Sequence, residues 1–315
     1  MKTVIIVTLI IIFALVFIFL LLPFSLFSAV LYTKLLIRTT KKKWGRECAF
    51  PNDLEYKRMF DIGIEWGEKY AAHKTPVNIK SGRYSLFGEY FDFGGENAVI
   101  IIAGRTESLL YSYYFAEPYR RSGYNVLVID NRAHGLSSGR VNSLGYREYK
   151  DILAWGRFLH DELGNSGIVL HGICIGSSTA LFALTDDSCP DYMRALIAEG
   201  MYTTFSESLI NNIKERNHRP FPIADGAILY TRIISGADIK NDGPIKRIKK
   251  MHKPILFLHS QKDTYSEPQR AQLLFDTCPA DKKRIVWFDE GIHSRIRINN
   301  EEKYDKSVVD FLSDI

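Results

Sequence analysis

A short β-branched run at residues 168–170 leads into Gly172-Ile173-Cys174-Ile175-Gly176, and a helical pattern begins near Ser177. This spacing constrains the chain more than any other feature. A strand must turn into a helix so sharply that the central residue takes strained backbone angles, and its neighbours two positions away must be small for the two elements to approach. Such a turn presents Cys174 to solvent above a sheet.

The surrounding pattern supplies that sheet. Residues 77–80 and 84–93 read as an antiparallel pair; Gly94 and Gly95 then lead into the continuous apolar run 98–103, and residues 124–129 repeat it. Further strands are expected at 195–198, 254–258 and 284–288. Helical spacing appears around 56–70, through Ile152, Trp155, Leu159 and Leu163, and through Tyr304, Val308, Phe311 and Leu312. Alternation of this kind predicts an α/β fold with a mostly parallel central sheet and helices on both faces. The polar motifs fall at the C-terminal ends of the strands, where open α/β sheets place ligands.

From Thr3 to Thr33 no side chain is charged, and residues 4–22 are apolar except for Thr8. A helix of about 20 residues crosses a hydrocarbon core roughly 30 Å thick, so residues 1–33 are expected to form a single-pass N-terminal transmembrane helix acting as a signal anchor. A cleaved signal peptide is the competing reading, against which stand the length of the run and the lack of a small-x-small pattern around Ser28-Ala29. Lys34, Arg38, Lys41, Lys42, Lys43 and Arg46 follow the run and only Lys2 precedes it, which favours a cytoplasmic domain. Pro23 leaves a tilted or re-entrant arrangement open. The expected organisation is the anchor, a basic linker with a helix over 34–76, and a catalytic domain over 77–315 with a short cap insertion at about 201–245.

The formal charge of +5 is concentrated in the clusters 34–46 and 246–253 rather than along an extended face, which excludes a nucleic-acid partner. The second cluster reads as a solvated helix face. Cys48, Cys174, Cys189 and Cys278 match neither a zinc pattern nor a disulfide scaffold, and most are expected as free thiols.

The turn at Cys174 resembles the nucleophile elbow G-x-S-x-G of the α/β-hydrolase superfamily, and four further segments, two before it and two after, lie in that superfamily's chain order. Gly104-Arg105-Thr106-Glu107-Ser108 is similar to an oxyanion loop, Asp130-Asn131-Arg132-Ala133-His134-Gly135 to its D-x-R-x-H-G turn, His259-Ser260-Gln261-Lys262-Asp263 to its acid loop and Gly291-Ile292-His293 to its histidine loop. The G-R-T-E-S loop resembles lysophospholipase and monoglyceride-lipase-like members, and Gly243-Pro244-Ile245 resembles small-lidded S9/S33-like hydrolases.

The resemblance implies a triad of Cys174, His293 and Asp263. Cys174 would attack an acyl carbonyl as thiolate, and His293 would act as base and then as acid for the leaving group. Asp263 would fix the imidazole tautomer, and the backbone N–H groups of Arg105 and Ile175 would bind the oxyanion. Neither metal nor organic cofactor is called for, and the implied partner is a small-molecule or lipid acyl substrate.

Cysteine in place of serine resembles dienelactone hydrolases and bile-acid acyltransferase-like members, and a thioester intermediate favours transfer to amines or thiols more than an oxygen ester does. Three readings follow: an acyl-cysteine hydrolase of carboxylic esters or thioesters, an acyltransferase using the same intermediate, and a silent scaffold in which Cys174 is a small buried residue. His134, His171 and His259 are expected as structural supports, with Asp238 as an alternative acid. Glu107 with Arg105 is read either as functional or as a mutually paired loop. Residues 201–222, with Tyr202, Phe205, Leu209 and Ile213, form an aromatic and aliphatic stripe read as packing.

Overall fold

The computed structural model describes residues 1–18, 22–39, 46–215 and 217–315. Eight strands form one sheet: β1 (Lys74–Ser81), β2 (Tyr84–Phe91), β3 (Asn97–Ile102), β4 (Asn125–Ile129), β5 (Gly167–Ile173), β6 (Met193–Glu199), β7 (Ile255–Ser260) and β8 (Lys283–Phe288). Their order is β1-β2-β4-β3-β5-β6-β7-β8. β1 with β2 and β2 with β4 pair antiparallel, and every later pairing is parallel. The expected mostly parallel sheet is therefore present, with its antiparallel entry. β3 to β7 are buried almost throughout, as aliphatic runs without polar alternation require, each fully buried Val, Ile or Leu contributing about 1.5–3 kcal/mol.

Helices cover the sheet on both faces. α1 (Lys2–Val16), α2 (Leu22–Leu36) and α3 (Leu54–Lys69) precede it. The turns α4 (Leu109–Ser112) and α5 (Glu117–Arg121) follow β3, and α6 (Tyr149–Asp161) and α7 (Ile175–Leu184) flank β5. Residues 201–245 carry α8 (Phe205–Glu215) and α9 (Ile223–Ser235), and α10 (Pro244–Arg247), α11 (Pro268–Thr277), α12 (Ile296–Asn299) and α13 (Glu301–Ser313) complete the chain.

One boundary near the site differs from the expectation. β5 does not stop at Leu170 but runs to Ile173, because pairing with β3 reaches Gly172 and pairing with β6 continues to Ile173↔Glu199. The neighbouring strands extend the ladder through the glycine.

The expectation of one membrane-spanning helix at the N-terminus is not supported. Among the described residues no helix is long and apolar enough to cross a membrane. The apolar run lies instead in two helices of 15 residues each, α1 and α2, with residues 19–21 outside the description. Pro23 sits in the first turn of α2, where its missing N–H costs no helical bond. α2 docks on α9: Ser28 Oγ–H donates to the Ile223 carbonyl at 3.1 Å, and a Cβ on Gly226 would lie 2.1 Å from Ser28 Oγ. Tyr32, Leu35 and Leu36 are buried there with Phe205, Leu209, Ala227 and Ile228. Lys41, Lys42 and Lys43 of the basic linker, and Arg216 of the cap stretch, lie outside the described residues.

The C-terminal helices anchor the loop after β8. Arg297, itself buried, donates to both Asp305 oxygens at 2.7 and 2.9 Å and to the Tyr114 carbonyl at 2.7 Å. Asp305→Ala would leave that guanidinium without its buried carboxylate. A loss of about 3–5 kcal/mol in chemical denaturation is expected, against less than about 1 kcal/mol for a surface pair such as Lys306–Asp310.

Candidate active site

The elbow forms as its glycines predict. Cys174 has φ 59° and ψ −123° and sits between β5 and α7. A Cβ on Gly172 would lie 2.3 Å from the Ser177 nitrogen, and one on Gly176 would lie 2.2 Å from the Ile102 carbonyl oxygen. The bend is locked by polar contacts: Cys174 N–H donates to the Glu199 carbonyl at 2.9 Å, and Ser177 Oγ–H reaches the carbonyls of Gly172 and Glu199 at 2.5 and 2.8 Å. Ile175 is the first residue of α7, so its N–H has no helical acceptor one turn back. Cys174 is half-buried and opens onto a cleft of ≈ 260 Å³ whose lining includes Tyr56, Arg105, Glu107, Tyr202 and His293.

His293 lies on the loop after β8 and Asp263 on the loop after β7. The ring donates Nδ1–H to Asp263 Oδ2 at 2.7 Å, since a carboxylate only accepts. The other oxygen, Oδ1, accepts from the backbone N–H groups of Tyr265 and Ser266 at 2.8 and 2.7 Å. Burial would lower the imidazole's pKa, but the Asp263 carboxylate and then Cys174 outweigh it and hold the ring well above its usual 6.5. Asp238 bonds to Asn241 instead.

Between Cys174 and His293 stands a residue that its sequence pattern presents only as packing. The Tyr202 hydroxyl lies 3.5 Å from Cys174 Sγ and 3.1 Å from His293 Nε2. It is three residues past Glu199, the end of β6, beyond Gly200, where a Cβ would come within 3.0 Å of the His293 ring. Position after a strand end was the available signal, since the stripe spacing alone describes Tyr202 and Phe205 equally well.

The loop after β3 is built from the D-x-R-x-H-G turn. His134 Nε2 lies 2.6 Å from the Arg105 carbonyl, and Asn131 donates to the Ala103 carbonyl at 3.2 Å. Asp130 accepts from the N–H groups of Leu109 and Leu136 at 3.0 and 2.7 Å and pairs with Arg46 at 2.6 Å. Glu107 is buried and accepts from Tyr56 O–H at 2.8 Å and Gly104 N–H at 3.0 Å, so it organises the loop from within. Burial raises its carboxyl pKa despite both donors.

A second buried polar group lies behind the elbow. Tyr304 O–H donates to Glu199 Oε2 at 2.6 Å, which leaves the Tyr304 oxygen to accept from His171 Nε2–H at 3.1 Å. Burial lowers His171 to about 3, and it raises Glu199 to about 7 against the pull of the Tyr304 bond. His259 Nε2 lies 2.7 Å from the Ser266 carbonyl, steadying the loop that carries Asp263.

The comparisons with known proteins agree with this architecture. Residues 97–217 match a family described as alpha/beta hydrolase fold. The esterase Pf2001 of Pyrococcus furiosus superposes with a TM-score of 0.65 at 20% identity, over 78% of this chain and 93% of that one. Strand order, family match and structural likeness together show an alpha/beta hydrolase fold. The uncharacterized protein YqkD of Bacillus subtilis is 28% identical over 70% of this chain and 72% of its own length. The uncharacterized membrane protein YNL320W of Saccharomyces cerevisiae is 24% identical over 71% of this chain and 74% of its own.

Glu199 makes stability depend on pH. The folded chain keeps a proton that the unfolded chain releases near 4.5, so this contribution is complete below about 4.5 and is lost as pH rises through about 7. The gap in melting temperature between the parent and Glu199→Gln should change across that window in the variant's favour. A gap constant with pH would remove the assignment.

Proposed function

We propose that the protein is a hydrolase of carboxylic esters or thioesters that works through an acyl-cysteine intermediate on Cys174. One observation carries this reading: a thiol held at a positive-φ strand–helix turn opens into the same cleft as an imidazole whose far side is fixed by a buried carboxylate. In this mechanism the Cys174 sulfur attacks the acyl carbon, and the oxyanion is held by the N–H groups of Arg105 and Ile175. Imidazolium His293 protonates the leaving group; as neutral base it then activates water, which cleaves the thioester. Asp263 keeps the ring's Nδ1 protonated and its cation stabilised.

The cleft's size supports a short acyl group, because drug-sized ligands occupy roughly 300–1,000 Å³. Its lining of Arg105, Glu107, Glu215 and Arg295 supports a polar one. The test is turnover of p-nitrophenyl acetate and of acetyl thioesters. Cys174→Ala and His293→Ala are expected to fall by at least about 10³-fold, and Asp263→Asn by about 10²–10⁴-fold. Parent-like turnover in Cys174→Ala would exclude the acyl-cysteine route.

We also propose that the chain attaches to a bilayer through its N-terminal helices. No residue of α1 is buried, and Val4, Ile6, Ile10, Phe13 and Leu15 are exposed around it. A helix apolar on all sides is stable in hydrocarbon and not in water. Beside α2, helix α9 likewise exposes Leu229, Ile233 and Ile234, and the yeast relative's name supports the same reading. The full chain is expected to float with phosphatidylcholine–phosphatidylglycerol vesicles. A triple variant with Ile6, Ile10 and Phe13 replaced by Arg should stay in the dense fraction, since each Arg costs about 2.5–3.5 kcal/mol in the hydrocarbon centre. Equal flotation of both would exclude insertion of α1.

A further inference from the structure

Resting on the acyl-cysteine reading above, we propose that the Tyr202 hydroxyl is the proton bridge through which Cys174 and His293 exchange a proton. The hydroxyl touches both groups, and the donor and acceptor count supports a path through it beside the direct Cys174–His293 contact. Because His293 Nδ1–H is committed to Asp263, neutral Nε2 offers only a lone pair, so Tyr202 O–H donates to it across 3.1 Å. The Tyr202 oxygen then accepts from the Cys174 thiol at 3.5 Å.

Transfer breaks the Cys174 S–H bond and forms a new O–H bond on Tyr202 while the original phenolic proton bonds to His293 Nε2. The electron pair stays on sulfur, the imidazole becomes a cation facing Asp263, and the phenol is neutral before and after. Every contact survives with its direction reversed: Nε2–H now donates to the Tyr202 oxygen, and Tyr202 O–H donates to the thiolate.

The surroundings fit a group that passes protons without ionising. Tyr202 is buried to 1% exposure, and burial, followed by the neighbouring Cys174, pushes its phenol far above its usual range. The ring therefore does not drain charge from the pair. The groups that face the pair are Asp263 and His259 from β7 and its loop, Glu199 from β6, and Arg105 and Glu107 from the loop after β3. The carboxylates among them favour the cationic ring, and Arg105 pulls the Tyr202 phenol down against the larger effect of burial.

The experiment follows alkylation of Cys174 by iodoacetamide in the full chain, read by mass spectrometry, for the parent, Tyr202→Phe, Tyr202→Met and His293→Ala. At about pH 7 the Tyr202 variants are expected to react about tenfold more slowly than the parent, and at about pH 10, where thiols ionise unaided, at an equal rate. His293→Ala should show the same pattern. Slowing of both Tyr202 variants at both pH values would mean altered access and would overturn the bridge, as would parent-like rates at about pH 7. If His293→Ala also matches the parent, the Cys–His reading itself fails; if only the Tyr202 variants match, the bridge alone does.

Discussion

Everything in the site hangs on one strained residue. Cys174 holds a positive φ that costs on the order of 1–3 kcal/mol for a residue with a side chain, and the fold sustains it because strand and helix are both buried on every side. The two glycines do different work. Gly172 lets β5 pass under the start of α7, and Gly176 lets α7 lie against the end of β3. The Glu199 carbonyl, accepting from both Cys174 and Ser177, then ties the bend to the neighbouring strand. Since β5 lies between β3 and β6, the loops leaving β3, β6, β7 and β8 are gathered around the thiol.

Electrostatics in this gathering are arranged in depth. Asp263 is buried but accepts from two backbone N–H groups and the ring. Glu107 and Glu199 are equally buried, with fewer donors, and burial raises both. The ring is thus pushed toward its cation mainly by one carboxylate, while burial raises the two others behind it. Tyr56, Tyr202 and Tyr304 each put a neutral hydroxyl against a member of this group, which satisfies it without adding net charge.

The N-terminal segment shows how one sequence signal divides between two environments. Uncharged residues over Thr3–Thr33 read as one stretch, yet α1 has no buried residue and α2 buries Ser28, Tyr32, Leu35 and Leu36 against the cap helix and the domain. Hydropathy reports the absence of charge and is blind to whether lipid or protein covers a helix. The Ser28–Gly226 approach that decides the matter joins residues far apart in the chain.

Period, composition and turn chemistry are local quantities, and what they determine was legible: eight strands in their places, a mostly parallel sheet, and the elbow with its two obligatory glycines. The end of β5 was not, because a ladder's length depends on its partners. Likewise, Glu107 was ambiguous until Tyr56, 51 residues away in sequence, supplied its donor. Tyr202 is the sharpest case. Nothing in the residues around it separates a core aromatic from a hydroxyl set between sulfur and imidazole, since that difference arises only when the ends of β5, β6 and β8 are brought to one edge of the sheet. The chain's own pattern thus determined the strands and the thiol's turn, whereas tertiary packing decided which polar atoms meet there, because hydrogen bonds between distant loops depend on distances that no local pattern contains.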